Sequence, residues 1–374
     1  MLFFRKRLKT LNRIEIIQEN ILHNYEFFRK RAENQSIIAV LKSNAYGHGI
    51  QQISSILEET DCAMIAVDSY YEAAKVLQHS SKKVLLIGYT PPQNLPLMNL
   101  KKVSLTVYDL ETMDILAAMK KKVRIHLKIN TGMNRQGLEV QDLSTYLGYF
   151  KKYPFLTLEG IFSHFADSDN TDPAFTQKQA DCFTQALHIL KQSDLHPKYV
   201  HLGATHGAFF PVDARINSMR IGIGLFGYHT FAEEHPERKS YDTLKPALRC
   251  ISTVINTIAL KKGDKVSYNG TFEAQENTTL AVIPFGYYEG LTRKLSNKYR
   301  VTWYDKSLQI AGRVCMNLTC LNAGTHKIQR GDEVTVISEH KTDPNSIDTL
   351  AITAKTINYE ILVKLSETIR RVIV

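Results

Sequence analysis

Eight short apolar runs, rich in β-branched residues and many of them followed by helical periodicity, constrain this chain most. They fall at 36–41 (Ser-Ile-Ile-Ala-Val-Leu), 63–67, 84–88, 104–108, 123–129, 158–163, 199–203 and 219–223. Helical patterns lie between many of them, at 50–59, 70–78, 110–119 and 174–192, and another at 13–32 precedes the first run. Apolar strands alternating with helices predict a parallel sheet, and eight of them predict a closed (β/α)8 TIM-like barrel over residues 13–240. An open doubly wound sheet shares the rhythm and is the alternative.

After about residue 240 the pattern changes. Runs at 248–260, 265–268, 279–284, 300–304, 308–314 and 333–338 read as strands without intervening helices, and Lys262-Gly263-Asp264 and Gly331-Asp332 read as turns. A C-terminal mostly-β domain is predicted over 241–374, with one helix around 346–363 and a last strand at 370–374. The boundary falls in the polar stretch 232–245, before Pro246. Residues 1–12 are predicted as an N-terminal strand joining the β domain.

At 374 residues the chain is long enough for two domains. With 44% hydrophobic and 22% charged residues it has an ordinary globular composition, and its apolar runs are too short for a membrane span. The first residues, Met-Leu-Phe-Phe-Arg-Lys-Arg, place apolar side chains before charges, the wrong order for a secretory signal, so a cytoplasmic protein is expected. The net charge of +10 raises nucleic acid as a partner, but the basic residues are scattered as pairs at element ends, which argues against it. The five cysteines are irregularly spaced, and His201 and His206, five apart, fit no zinc pair; neither disulfides nor a metal is expected.

In a barrel, chemistry belongs at the C-terminal ends of the strands. The polar residues there are Lys42, Asn130 to Arg135, His164, Thr205 and Gly222 to Gly224, with Arg220 inside the last run; they are expected to converge on one mouth. Lys42 opens the string Lys42-Ser43-Asn44-Ala45-Tyr46-Gly47-His48-Gly49, where an apolar strand gives way to a polar turn. Desolvation there favours a neutral amine, a nucleophile able to form a Schiff base.

That string closely resembles the cofactor-lysine motif of the alanine racemases, enzymes that use pyridoxal 5'-phosphate. Further segments extend the resemblance over nearly the whole chain: Thr131-Gly132-Met133-Asn134-Arg135-Gln136-Gly137, Phe162-Ser163-His164-Phe165, Met219-Arg220-Ile221-Gly222-Ile223-Gly224, Lys265-Val266-Ser267-Tyr268, Gly286-Tyr287-Tyr288-Glu289-Gly290 and Gly312-Arg313-Val314-Cys315-Met316-Asn317. It implies a homodimer with shared active sites that interconverts L-alanine and D-alanine for peptidoglycan. Lys42 and Tyr268 would be the two catalytic bases, Lys42 on the D side and Tyr268, reaching into the neighbouring copy, on the L side. Tyr46, Thr205, Gly222, Ile223 and Tyr359 would bind the cofactor phosphate, and His164 would fix the cofactor surroundings. Arg220 would face the pyridine nitrogen. Because arginine stays protonated, it can donate a hydrogen bond there without protonating the ring, which limits side reactions. Arg135 would touch the cofactor phenolate and the substrate carboxylate, and Met316 would offer its backbone to that carboxylate. Tyr287 would line the access path, and Lys128 matches a position that is carbamylated in some members.

The chain departs from the family pattern at Asn317 and Glu289, each in place of an aspartate, at Ala204 and Thr205 in place of Asn and Ser, and at Phe226 in place of a frequent tyrosine. These leave serine or broad-specificity racemisation as the alternative. A decarboxylase on a related barrel is disfavoured by Arg220, and a non-catalytic cofactor carrier by the β domain.

Overall fold

The computed structural model describes residues 9–374 apart from Glu33, so residues 1–8 of the expected 1–12 strand lie outside the described residues. The chain divides into two compact units, one of residues 21–45 and 53–244, the other of 1–20, 46–52 and 245–374.

The first unit is a closed barrel of eight parallel strands in chain order. Numbering starts from a preceding strand, β1 (Asn12–Ile16). The barrel strands are β2 (Ser36–Val40), β3 (Met64–Val67), β4 (Val84–Leu86), β5 (Val103–Val107), β6 (Val123–Lys128), β7 (Leu156–Phe162), β8 (Tyr199–His201) and β9 (Ser218–Ile221). All eight expected runs are present, and β2 closes on β9 through Ile38↔Arg220. The open doubly wound alternative is thereby overturned. Side-chain caps set helix starts: Ser69 accepts from Glu72 N at the helix Tyr70–His79, and Asp109 accepts from Thr112 N at Leu110–Met119.

One local expectation is corrected, and two connections carried no expectation. The pattern read as one helix over 13–32 is a strand, β1, followed by a helix over Gln18–Arg31. Ile14 and Ile16 alternate with Arg13 and Glu15, a period of two that a helical window absorbs. Between β4 and β5 there is only a 3-10 segment, Pro92–Leu97; prolines at 91, 92 and 96 remove backbone donors that an α-helix needs. Between β6 and β7 a helix, Leu143–Lys152, stands where no helix was singled out.

The second unit is built on a nine-stranded sheet. Its strands are β1, β10 (Leu248–Thr253), β11 (Asn256–Leu260), β14 (Thr278–Ile283), β15 (Arg300–Trp303), β16 (Lys306–Ile310), β17 (Thr319–Gly324), β18 (Glu333–Ile337) and β19 (Arg370–Ile373), with β12 (Lys265–Val266) and β13 (Phe272–Glu273) forming a separate ribbon. β1 lies between β10, antiparallel, and β19, parallel. The run 248–260 is two strands, because β10 pairs with β18 and β1 whereas β11 pairs with β14 at the opposite edge. The expected helix over 346–363 is likewise two, Ile347–Ala354 and Asn358–Val363, interrupted at Lys355, whose φ is 54°. Among the described residues no helix is long and apolar enough to cross a membrane.

Candidate active site

Lys42 stands at the end of β2, half-buried, and the backbone after it is unusual. Ser43 (φ 55°, ψ 51°), Asn44 (53°, 48°) and Ala45 (54°, 50°) form a left-handed helical turn, continued by Tyr46 at φ 51° and Gly47 at φ 80°. Sequence reading expects a glycine-punctuated turn here, but four consecutive residues with a Cβ in the left-handed region each cost about 1–2 kcal/mol. The surroundings hold the turn in place. Glu72 accepts from Asn44 N (3.1 Å) and Asp68 N (2.9 Å), and Ala45 N reaches back to Leu41 O (2.8 Å). Arg371 Nε donates to Gly47 O (2.9 Å). Strain maintained in this way beside a lysine at a barrel strand end marks a functional segment.

Arg220, on β9, is buried. Its Nη2 donates to Ser163 O (2.7 Å) and Leu202 O (2.9 Å), with His164 Nδ1 sharing these hydrogens at 3.1 Å, and its Nη1 donates to His201 Nδ1 (2.6 Å). The guanidinium lies 5.1 Å over the Phe162 ring. Burial pulls it down to about 9, so it remains charged at neutral pH. Since arginine only donates, His164 Nδ1 is an acceptor and its hydrogen is on Nε2. Burial, with the charges of Arg220, Arg135, Lys128 and Lys42, holds His164 neutral, well below the usual histidine range. Lys128, at the end of β6, donates to Gln136 Oε1 (2.8 Å). Burial, then the charges of Arg135, Arg220 and Lys42, pulls it down to about 8.

Lys42, Lys128, Arg135 and Arg220 therefore face a common mouth, and among the described residues none of them forms an ion pair with a carboxylate. Beside them, Thr205 Oγ1 accepts from Gly222 N (3.3 Å) and Gly224 N (3.2 Å). Both hydroxyl lone pairs are then engaged, and its hydrogen is left for an anion. Ile223 begins a short 3-10 turn behind Gly222. The lost Asn-Ser pair at 204–205 thus still provides a hydroxyl tied to the glycine turn. Phe226, in place of a tyrosine, is fully buried.

In the other unit, burial raises the Tyr46 phenol to about 12, and its ring stands edge-on to Tyr359 at 6.0 Å. Tyr287 and Met316 lie on adjoining loops, joined by Tyr287 N to Cys315 O (3.0 Å) and Tyr288 N to Met316 O (2.9 Å). The Met316 carbonyl is thereby occupied, which leaves its amide as the group suited to a carboxylate. Tyr268 opens a short turn tied by Ser267 Oγ to Arg313 O (2.8 Å), and it is 69% exposed. Two departures from the family pattern explain each other: Asn317 Nδ2 donates to Glu289 Oε1 (3.0 Å), while Glu289 Oε2 accepts from Gly286 N (2.8 Å). An aspartate at 317 would set two carboxylates face to face.

Three groups were given no role by sequence reading: His126 and His201, buried on β6 and β8, and Glu159 on β7. Their signal was a polar residue within a run read as a buried strand. Among the described residues no group of three His, Cys, Asp or Glu is placed to hold a metal ion.

The profile of the alanine racemase N-terminal domain matches residues 16–230, and that of its C-terminal domain matches 247–373. An alanine racemase of Borreliella burgdorferi is 32% identical over 369 residues, 96% of each chain. Among solved structures, an alanine racemase of Clostridium difficile superposes with a TM-score of 0.90 at 26% identity, covering 98% of this chain and 97% of that one. One from Bacillus anthracis, solved with bound L-Ala-P, does so at 0.89 and 27%, covering 99% and 96%. With both profiles matched in order and the relatives covered nearly end to end, the chain belongs to the alanine racemase family of isomerases.

Proposed function

We propose that this protein interconverts L-alanine and D-alanine with pyridoxal 5'-phosphate, through Lys42 and Tyr268 as opposed bases in a homodimer with shared active sites. The observation that carries this reading is the cluster of Lys42, Lys128, Arg135 and Arg220 without a carboxylate partner. Such a cluster suits a ligand bearing a phosphate, a phenolate and a substrate carboxylate. The Thr205 hydroxyl and the Gly222–Ile223 backbone fit the phosphate, with Tyr46 and Tyr359 as further donors. Bound pyridoxal phosphate supplies an electron sink that acidifies the α-hydrogen of an amino acid attached to it.

The residues of the chain do the rest. Arg220 donates a hydrogen bond to the ring nitrogen and keeps its own proton. His164, held neutral, adds no competing acid. Arg135 and the Met316 amide orient the substrate carboxylate. The Lys42 amine would hold the cofactor until the substrate amine displaces it and, once free, exchange a proton on one face of Cα. The Tyr268 hydroxyl of a second copy exchanges one on the other, so the proton removed by one base is matched by one returned from its opposite. The exposure of Tyr268 supports the dimer, because a phenol open to water needs a covering surface before it can act in a dry site.

Incubating the cofactor-loaded protein separately with L-alanine and L-serine, and following enantiomers by chiral chromatography, tests the reading. D-alanine forming much faster than D-serine is expected. Comparable D-serine would move the protein to serine or broad-specificity racemisation, and formation of neither D-alanine nor D-serine would overturn the reading. A role in the cytoplasm, supplying D-alanine for peptidoglycan, is expected to show as rescue of a D-alanine auxotroph by the wild-type protein and not by Lys42→Ala.

A further inference from the structure

Below the mouth, the interior of the barrel holds a line of polar groups where apolar packing is the norm. Arg220 on β9, His201 on β8, His126 on β6 and Glu159 on β7 are each no more than 5% exposed. They are linked in sequence. Arg220 Nη1 meets His201 Nδ1 at 2.6 Å, His201 Nε2 meets His126 Nδ1 at 2.9 Å, and His126 Nε2, which makes no hydrogen bond among the described residues, faces Glu159 Oε2 at 3.5 Å.

The direction of this line follows from hydrogen inventory. Arginine carries only donors, so His201 Nδ1 accepts. A neutral imidazole has one N–H, so that of His201 is on Nε2, and it donates to His126 Nδ1. The hydrogen of His126 is then on Nε2, directed at the carboxylate. A second proton on either ring would set donor against donor. Burial, then the charge of Arg220, holds His201 well below the usual histidine range, and burial lowers His126 as well, against the opposing pull of Glu159.

Glu159 is the carboxylate that Arg220 lacks at first hand. It also receives Ser104 Oγ from β5 and Lys83 Nζ (2.9 Å) from the approach to β4, and Arg124 Nε of β6 lies at 3.6 Å. Burial would raise its carboxyl, but the proximity of His126 and the bonds from Ser104 and Lys83 outweigh that and hold it at about 2. The line is also sterically built. Phe162 stacks on His201 (4.6 Å, 4°) and Tyr199 on His126 (5.9 Å, 18°). A Cβ at Gly160 would come within 2.3 Å of the His126 ring, and the β6–β7 register shifts at that level, between Ile125 and His126.

We propose that Glu159, acting through His126 and His201, is a remote counter-ion and positioning residue for Arg220. It fixes both imidazoles as Nε2–H tautomers, so that His201 always offers a lone pair and the guanidinium is held in one orientation at the mouth. Polarised bonds donated in one direction strengthen each other in a low-dielectric interior, and here they all lead toward the anion. The consequence for the cofactor ring nitrogen rests on the reading of the site proposed above; the tautomers do not.

The test has two arms. In full-length protein labelled with 15N-histidine and stripped of cofactor, long-range 1H–15N spectra assigned with His201→Gln and His126→Phe are expected to show both rings as neutral Nε2–H tautomers from pH 8 to 5. An Nδ1–H tautomer or a doubly protonated ring at either position would overturn the proposal, whatever the enzyme does. In the cofactor-loaded protein, the isosteric Glu159→Gln variant is expected to lower kcat for racemisation about tenfold or more, the scale of a lost hydrogen bond to a charged group. KM for alanine should change less than twofold, and the pH profile of the bound cofactor's absorbance should shift. Folding of Glu159→Gln is verified by circular dichroism. An unshifted absorbance profile with unchanged kcat would refute the counter-ion role. Absence of racemisation by the wild type sinks the functional reading alone, because the spectra of the stripped protein still decide this one.

Discussion

Asn317→Asp restores the aspartate of the family pattern, and the structure expects it to harm this chain. The Asn317 amide donates to Glu289 Oε1 at 3.0 Å, and the Glu289 side chain is only 8% exposed, with its other oxygen on Gly286 N. The substitution removes a hydrogen bond to a charged group, about 1.5–3 kcal/mol. It also sets two carboxylates roughly 4 Å apart, a repulsion of about 1 kcal/mol in water and about 4 kcal/mol near a protein surface. Because Asn317 is exposed, the lower figure is the appropriate one, giving a loss of about 3 kcal/mol at pH 8. The sign with pH is fixed. Crowded carboxylates bind a proton more readily folded than unfolded, so the deficit relative to wild type shrinks as pH falls and one acid again donates to its neighbour. The assay is a double-mutant cycle with Glu289→Gln, read by urea unfolding and by hydrogen exchange of the 284–291 segment at pH 8 and pH 5. In the Glu289→Gln background the aspartate can accept from the new amide, and its cost should fall below about 0.5 kcal/mol. Equal cost in both backgrounds, or a cost independent of pH, refutes the reasoning.

Lys42→Ala is expected to abolish racemisation and borohydride-fixable cofactor attachment; full activity in that variant would end the mechanism as written. Gly47→Ala is expected to destabilise the protein by about 2 kcal/mol or more, because φ is 80° and a Cβ would overlap the Leu362 carbonyl; unchanged unfolding would contradict this. His164, half-buried, and His201, buried, are both held neutral, so below about pH 6.5 the unfolded chain binds protons that the folded one refuses, and stability must decline with acid. The depressed Glu159 carboxyl adds a loss of the same sign between about pH 4.5 and 2. A urea midpoint constant from pH 7 to 5 would overturn the histidine assignment. Lys128, brought down to about 8 and bonded to an amide rather than a carboxylate, is expected to take up CO2; a 13C carbamate signal from labelled bicarbonate should vanish in Lys128→Met, and no signal in wild type would leave the Gln136 bond as its resting state.

Much of the architecture was legible because its causes are local. The eight barrel strands are short runs rich in β-branched and apolar residues, so each announces itself within a few residues, and capped helices such as Tyr70–His79 do the same. Element boundaries failed where a long-range partner decides them. No local feature splits 248–260 into two strands; the split reflects pairing with β18 and β1 on one side and β14 on the other. The run Thr319–Gly324 was passed over although it alternates in burial, because Asn322 and Gly324 weaken its β signal.

Residue type and spacing were enough for the order of strands and helices, the lysine and arginines at the strand ends, and the family, since a linear chain carries both in full. The left-handed turn after Lys42, the bond between Asn317 and Glu289, and the line from Arg220 to Glu159 emerged only with the folded coordinates. Each depends on atoms brought together from distant positions: Glu72 accepting from the turn, Gly286 beside the 316–317 loop, and four strands presenting one polar side chain apiece to the same interior. A backbone in the left-handed region or a buried histidine tautomer is set by the partners that closure of the fold provides, and no window of sequence contains them.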